Sequence, residues 1–244
     1  MQPAPSPTPA RPTETGDYRP ATDRALWAIL ASNTLTLGVA LWQGWGLLHL
    51  LWPFWMQSVV IGWYARRRML ALRAFCTQGL RINNREVEPT PQTQRWTANF
   101  FALHFGFFHF VYLVFLLAFT FSADPTGFIE VTMEGSGEVR QVFIGRVGAL
   151  DLLVMVGLGW GFWRSHRLSH HEHLAADLSR VPKLGSLMML PYARVLPMHL
   201  CIILGIVLPG GGAVWLFGLL KIAADVLMHK VEHAWLADGR RGQR

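Results

Sequence analysis

Five ionisable residues stand close together late in the chain: Lys221, Asp225, His229, Glu232 and His233. At about 100° per residue on a helix they fall within an arc of about 120°. The spacing therefore predicts one strongly polar face on a helix that is otherwise apolar. Three more histidines, His104, His109 and His199, interrupt other apolar stretches. Neutral imidazole is the commonest metal ligand. An i,i+4 pair such as His229 and His233 can grip one ion from a single helix. A carboxylate one turn away, here Asp225, can ligate as well or orient a ring. Such a donor set suits Zn, Fe or Cu, or the iron of a haem.

The elements that must position these groups are read from apolar runs. The chain has 244 residues, of which 52% are hydrophobic and 15% charged, against about 25% charged in an average soluble domain. Its mean hydropathy is +0.28 and its pI about 10.1. Six apolar runs follow one another: Ala25–Trp42, Leu47–Tyr64, Trp96–Phe121, Phe143–Trp163, Tyr192–Leu208 and Ala213–Trp235. A helix needs about 20 residues to cross the hydrocarbon core, within a range of about 17–25. The expectation is an all-α polytopic membrane bundle of six transmembrane helices over residues 25–236. A Pro- and Thr-rich tail (1–24) that cannot bury enough apolar surface to fold precedes it. A basic tail (237–244) follows.

Loop charge sets the expected orientation. Arg66, Arg67, Arg68, Arg73, Arg81, Arg85 and Arg95 separate runs two and three, and Arg164, Arg167, Arg180, Lys183 and Arg194 separate runs four and five. The connection between runs three and four carries Asp124, Glu130, Glu134 and Glu138 against Arg140. The positive-inside rule puts both termini and the basic loops in the cytoplasm, in the inner membrane of the cell. Basic residues flanking apolar runs point to anionic lipid as the partner and away from nucleic acid. Polar–apolar alternation over Gly127–Phe143, around Glu134-Gly135-Ser136-Gly137, predicts a short external β-hairpin between helices three and four. Cys76 and Cys201 have no metal-site spacing and are expected to be free thiols.

Depth then sorts the candidates. With a rise of about 1.5 Å per residue, His104 lies about 12 Å beyond Trp96 and His199 about 10 Å beyond Tyr192. His229 and His233 lie about 9 Å and about 3 Å before Trp235. These four share the cytoplasmic half, with Asp225 and His109 deeper at about 15 and about 20 Å. His104 and His109 differ by about 140° around their helix, so one ion would take His104.

Ionisable groups inside membrane helices are functional suspects by default, and three readings compete. The first is a metal or haem site of His104, His199, His229 and His233, supported by Asp225. The second is a proton or ion path through Lys221, Asp225 and His109, in a proton-coupled or metal transporter. The third is a network of interhelical hydrogen bonds with a self-neutralising Lys221–Asp225 pair; separately, the 11 Trp and the external hairpin suit the contacts of a non-catalytic accessory subunit of a membrane complex or of a homo-oligomer. Arg194 and Glu232, at similar depth, are a further candidate ion pair. A separate tract, HRLSHHEH (His166, His170, His171, His173), is expected in the cytoplasmic loop after run four. It resembles one histidine box of the membrane di-iron desaturases and hydroxylases, although a third HxxHH box is lacking and His104 and His109 sit deep in a helix. The alternative is an interfacial tract that binds metal only adventitiously.

The stretches HFGFFHFVYLVF, PYARVLPMHLCIILG and LLKIAADVLMHKVEH, with LLWPFWMQSVVIGW upstream, resemble an uncharacterised family of prokaryotic integral membrane proteins known only as a domain of unknown function. The resemblance covers residues 25–236. The family pattern includes the positions of His104, His109, Pro191, Tyr192, Arg194, His199, Lys221, Asp225, His229, Glu232 and His233. Gln57 stands where the family often has an acid. The resemblance implies a membrane protein and supplies no activity.

Overall fold

Thr90 and Pro91 show how the longest apolar run becomes a helix. The Thr90 hydroxyl accepts the Thr93 backbone N–H at 3.2 Å, and proline follows at the first helical position, where its missing N–H costs nothing. The computed structural model describes residues 24–132, 135–179, 181–204, 208 and 212–241. Among these, helices run over Arg24–Trp42 (α1), Leu47–Ala71 (α2), Pro91–Ser122 (α3), Ala149–Leu178 (α4), Leu184–Met189 (α5), Tyr192–Leu204 (α6) and Gly212–Arg241 (α7). Two antiparallel hairpins complete the fold: Arg81–Ile82 (β1) with Arg85–Glu86 (β2), and Phe128–Thr132 (β3) with Val139–Phe143 (β4).

The six-helix transmembrane bundle expected from run lengths is not the architecture. Among the described residues one helix, Pro91–Ser122, is long and apolar enough to cross a membrane, with mean hydropathy 2.0. Polar groups that run length alone ignores dilute two of the other runs. His49, Gln57 and Ser58 interrupt α2, and Asp151 and Arg164 interrupt α4. The described α6 has 13 residues, about 20 Å of helix against a hydrocarbon core of about 30 Å. The fourth run begins later than expected, because β4 takes residues up to Phe143 and α4 starts at Ala149. It also ends later: α4 continues to Leu178, so the histidine tract lies on a helix and not in a loop.

Helix α2 is the centre of the packing. It contacts α3, α4, α5, α6 and α7, while the chief partner of α1 is α7. The core runs through Leu48, Leu51, Phe54 and Met69 of α2 against Phe101, Phe105 and Leu116 of α3. Gly62 lets α2 and α3 close up, since a Cβ there would lie 2.4 Å from Cε1 of Phe105. Gln94 of α3 donates to the Met69 and Leu72 carbonyls at 2.8 and 2.9 Å, satisfying the C-terminal end of α2.

The hairpins close the two ends of the helix layer. Asn83 and Asn84, at φ 50° and 64°, form the two-residue turn between Ile82 and Arg85, and paired positive φ values are what a tight hairpin of matching twist requires. At the other end, β3 and β4 pair from Phe128↔Phe143 to Thr132↔Val139. Their base docks on the start of α2, where the Leu48 N–H donates to the Ile144 carbonyl at 2.9 Å. The contact is so close that a Cβ on Gly46 would lie 2.2 Å from the Gly145 nitrogen. Asp124 opens this hairpin, its carboxylate accepting the Thr126 and Phe128 backbone N–H groups and the Thr126 hydroxyl at 2.7–2.9 Å.

Candidate functional site

The polar face of α7 meets α1. Lys221 Nζ donates to Asp225 Oδ2 at 2.7 Å and to Asn33 Oδ1 at 2.9 Å, and Asn33 Nδ2 donates to Asp225 Oδ2 at 3.0 Å. Lys221 and Asp225 are one helical turn apart, so the cation and anion face the same side. The Phe54 ring lies 5.9 Å from the ammonium. The result is a partly buried, electrically neutral triangle that ties the first helix to the last. Nothing in the sequence reading singled out Asn33. Its signal was an amide inside an apolar run, which needs a partner when it is shielded from water.

A second constellation lies along α3. His104 Nδ1 and the Tyr192 hydroxyl of α6 share a hydrogen bond of 2.8 Å. Two turns further on, the pairing is reversed: the Tyr112 hydroxyl of α3 meets His199 Nδ1 of α6 at 2.9 Å. Both residue numbers rise together, so α3 and α6 run parallel here. Between the two pairs stands His109, buried, with Nδ1 2.8 Å from the Phe105 carbonyl and its ring stacked on Phe105 at 4.2 Å. A carbonyl only accepts, so Nδ1 carries the proton and Nε2 presents a lone pair. Trp55 of α2 fixes this level by donating Nε1–H to the His109 carbonyl at 2.8 Å. Tyr192 also packs edge-on against Phe101 and Phe105.

These contacts redistribute the residues that depth arithmetic grouped. His104 and His199 are not at one level: His199 sits beside Tyr112, which is eight residues, about 12 Å, beyond His104. Tyr192 is level with His104 and not with Trp96. Asp225 is engaged with Asn33 of α1 and Lys221 of its own helix. Among the described residues no group of three or more His, Cys, Asp or Glu side chains is gathered closely enough to hold a metal ion. The side chains of His229, Glu232, His233 and Arg194 lie outside the described residues, as does that of His173.

The histidine tract on α4 faces α2. The Tyr64 ring lies 5.0 Å from that of His166 and 4.7 Å from that of His170, and His166 also stacks on Phe162 at 5.7 Å. One turn beyond on α2, Arg68 binds Asp177 through Nε and Nη2, at 2.8 and 2.7 Å from the same carboxylate oxygen. Asp177 is 1% exposed, which makes this the most deeply buried ion pair among the described residues. The backbone of Cys76 joins the same end, with its N–H on the Pro182 carbonyl and its carbonyl accepting the Leu184 N–H, both at 3.0 Å. Cys76 is a free thiol.

A model of a family of unknown function, DUF6498, matches residues 17–241. No curated protein and no solved structure matches the chain.

Proposed function

The chain belongs to this family of unknown function, DUF6498, and we propose that it is a membrane-embedded protein that handles protons along the histidine–tyrosine ladder of α3 and α6. The observation that carries the reading is the reversed repetition of one pair, His104–Tyr192 and Tyr112–His199, on either side of buried His109. Imidazole both accepts and donates a proton near neutral pH, and a phenol passes one on without becoming charged. Chains of imidazole and acid groups within membrane helices mark proton paths.

Membrane embedding is supported by what α3 turns outward. Leu103, Phe107, Phe110, Val114, Phe115 and Phe121 are exposed along its length, a continuous apolar face that water would not tolerate. Helices α2 and α3 are antiparallel, so Arg66, Arg67 and Arg68 share one end with Arg95, while Asp124, Glu130 and Glu138 gather at the other. That asymmetry favours the basic end as the cytoplasmic one.

Two measurements test the reading. The chain should remain in the membrane pellet after alkaline extraction. In liposomes loaded with a pH-sensitive dye, an imposed potential should then drive proton flux that Tyr112→Phe and His199→Phe each reduce. Flux equal to that of empty liposomes would refute proton handling, and release at alkaline pH would refute embedding.

A second reading has its own support. The Asn33–Lys221–Asp225 triangle leaves no spare charge, which is how a purely structural clamp between helices is built. In that case the protein ties helices together in a larger membrane assembly, and the dye assay stays silent while Lys221→Met disrupts folding.

A further inference from the structure

Two of the most deeply buried polar side chains have atoms without a hydrogen-bond partner among the described residues. Ser58 is 2% exposed and its Oγ is unpaired, and His109 is 3% exposed and its Nε2 is unpaired. Buried polar atoms are nearly always satisfied, so each such case calls for a partner. Both lie in the interface between α2 and α3, and two contacts set the register there. Gly62 faces Phe105, and Trp55 bonds the His109 carbonyl. Ser58 falls between Trp55 and Gly62 on the same stripe of α2, and His109 follows Phe105 by one turn on the facing stripe of α3. The antiparallel register therefore brings Ser58 and His109 to one level.

The chemistry of the two atoms defines what fits between them. Nε2 of His109 is an acceptor, because Nδ1 holds the ring proton against the Phe105 carbonyl. A helical serine often turns its hydroxyl back to the carbonyl four residues earlier, but here Oγ makes no such bond. The two atoms do not bond each other directly either. What satisfies both is a small hydroxylic molecule that donates to Nε2 and exchanges a second hydrogen bond with Oγ.

We propose that Ser58 and His109 form a binding site for a single buried water molecule in the α2–α3 interface. Two polar partners are the minimum that holds a buried water, and the site supplies them from two different helices. Water is the class of ligand selected because the two side chains that fix this level, Phe105 and Trp55, carry no charge to hold an ion. The site lies beside the ladder and deepens that reading, since such a water connects His109 to a hydroxyl on α2. It does not depend on proton flux, which the liposome assay reads separately.

A high-resolution density map of the full chain in detergent should show one solvent peak within hydrogen-bond range of both Nε2 and Oγ. The same map of Ser58→Ala should lack it. A direct Ser58–His109 hydrogen bond, or a peak that persists in Ser58→Ala, would overturn the site. Thermal unfolding offers an independent reading. If one water links the two groups, the loss in Tm of Ser58→Ala with His109→Phe should be clearly smaller than the two single losses added. Additive losses would also overturn it. Should His109→Phe not accumulate, the Ser58→Ala map alone decides.

Discussion

The α1–α7 triangle and the α2–α3–α6 ladder are both polar insertions into apolar helices, yet they are built on opposite principles. In the triangle every group is answered: one cation, one anion and one amide exchange three hydrogen bonds between 2.7 and 3.0 Å. In the ladder each phenol meets one imidazole, and His109 Nε2 has no partner among the described residues. The first arrangement resists change, because removing either ion strands the other charge. The second holds no ion pair to break. The two lie on different faces of the same helix set, with Phe54 of α2 facing the triangle and neighbouring Trp55 facing the ladder.

The comparison is broken most severely where a charge is deepest. Arg68→Met removes the guanidinium bound to the carboxylate of Asp177, which is 1% exposed. One-sided loss of a buried ion pair costs about 3–5 kcal/mol. We expect little folded protein by size-exclusion chromatography, and recovery in the double variant with Asp177→Leu. A clamp at the α1–α7 contact predicts a smaller version of the same pattern. Lys221 and Asp225 are 23% and 13% exposed, so Lys221→Met should cost about 2–3 kcal/mol, below the fully buried range. Lys221→Met with Asp225→Leu should regain most of it, read as Tm. If the double variant is no better than the single, the triangle is not the unit described.

The ladder should answer weakly to the same treatment. Tyr112→Phe removes one hydroxyl from the bond to His199, and under the proposed membrane embedding such a hydrogen bond between helices averages about 0.6 kcal/mol. The Tm should therefore barely move. A loss as large as that of Lys221→Met would erase the distinction between the two regions. Smallest of all is a local effect at the β3–β4 hairpin. Hydrogen bonds from the Phe128 backbone, then from the Thr126 hydroxyl, hold the Asp124 carboxyl below its usual range. A lowered folded-state value means the stabilisation is complete above the ordinary carboxylate pKa and is lost as pH falls through the folded one. Hydrogen exchange at Thr126 and Phe128, corrected for intrinsic rate, should quicken between about pH 5 and about pH 2. Asp124→Asn should flatten that change.

Much of this organisation is legible in residue spacing, and the misses have physical causes. Lys221 and Asp225 pair at i,i+4 as helix geometry demands, and the alternation around Gly135 marks where β3 and β4 meet. Run length misled because it counts Trp, Gln and His as readily as Leu, so α2 reads as a span although, among the described residues, α3 is the helix with the length and hydropathy of one. The histidine tract read as a loop because it is polar. Yet from Trp163 to Ser179 there is neither Gly nor Pro, and α4 runs on until just before Pro182. Depth counting failed for His199 because it assumed that Trp96 and Tyr192 start at the same height. The phenols of Tyr112 and Tyr192, which set the true register, were not weighed as partners, since a tyrosine in an apolar run is ordinary until its hydroxyl is seen to need an answer.

The pairing of the first long helix with the last has a consequence for how the chain is made. About 170 residues separate the end of α1 from the start of α7, and at a synthesis rate of about 5–20 residues per second α1 waits roughly 10–30 seconds for its chief partner to leave the ribosome. During that interval Asn33 has neither Lys221 nor Asp225 to bond. A chain that stops short of α7 therefore leaves the Asn33 amide without the two partners that the complete fold supplies.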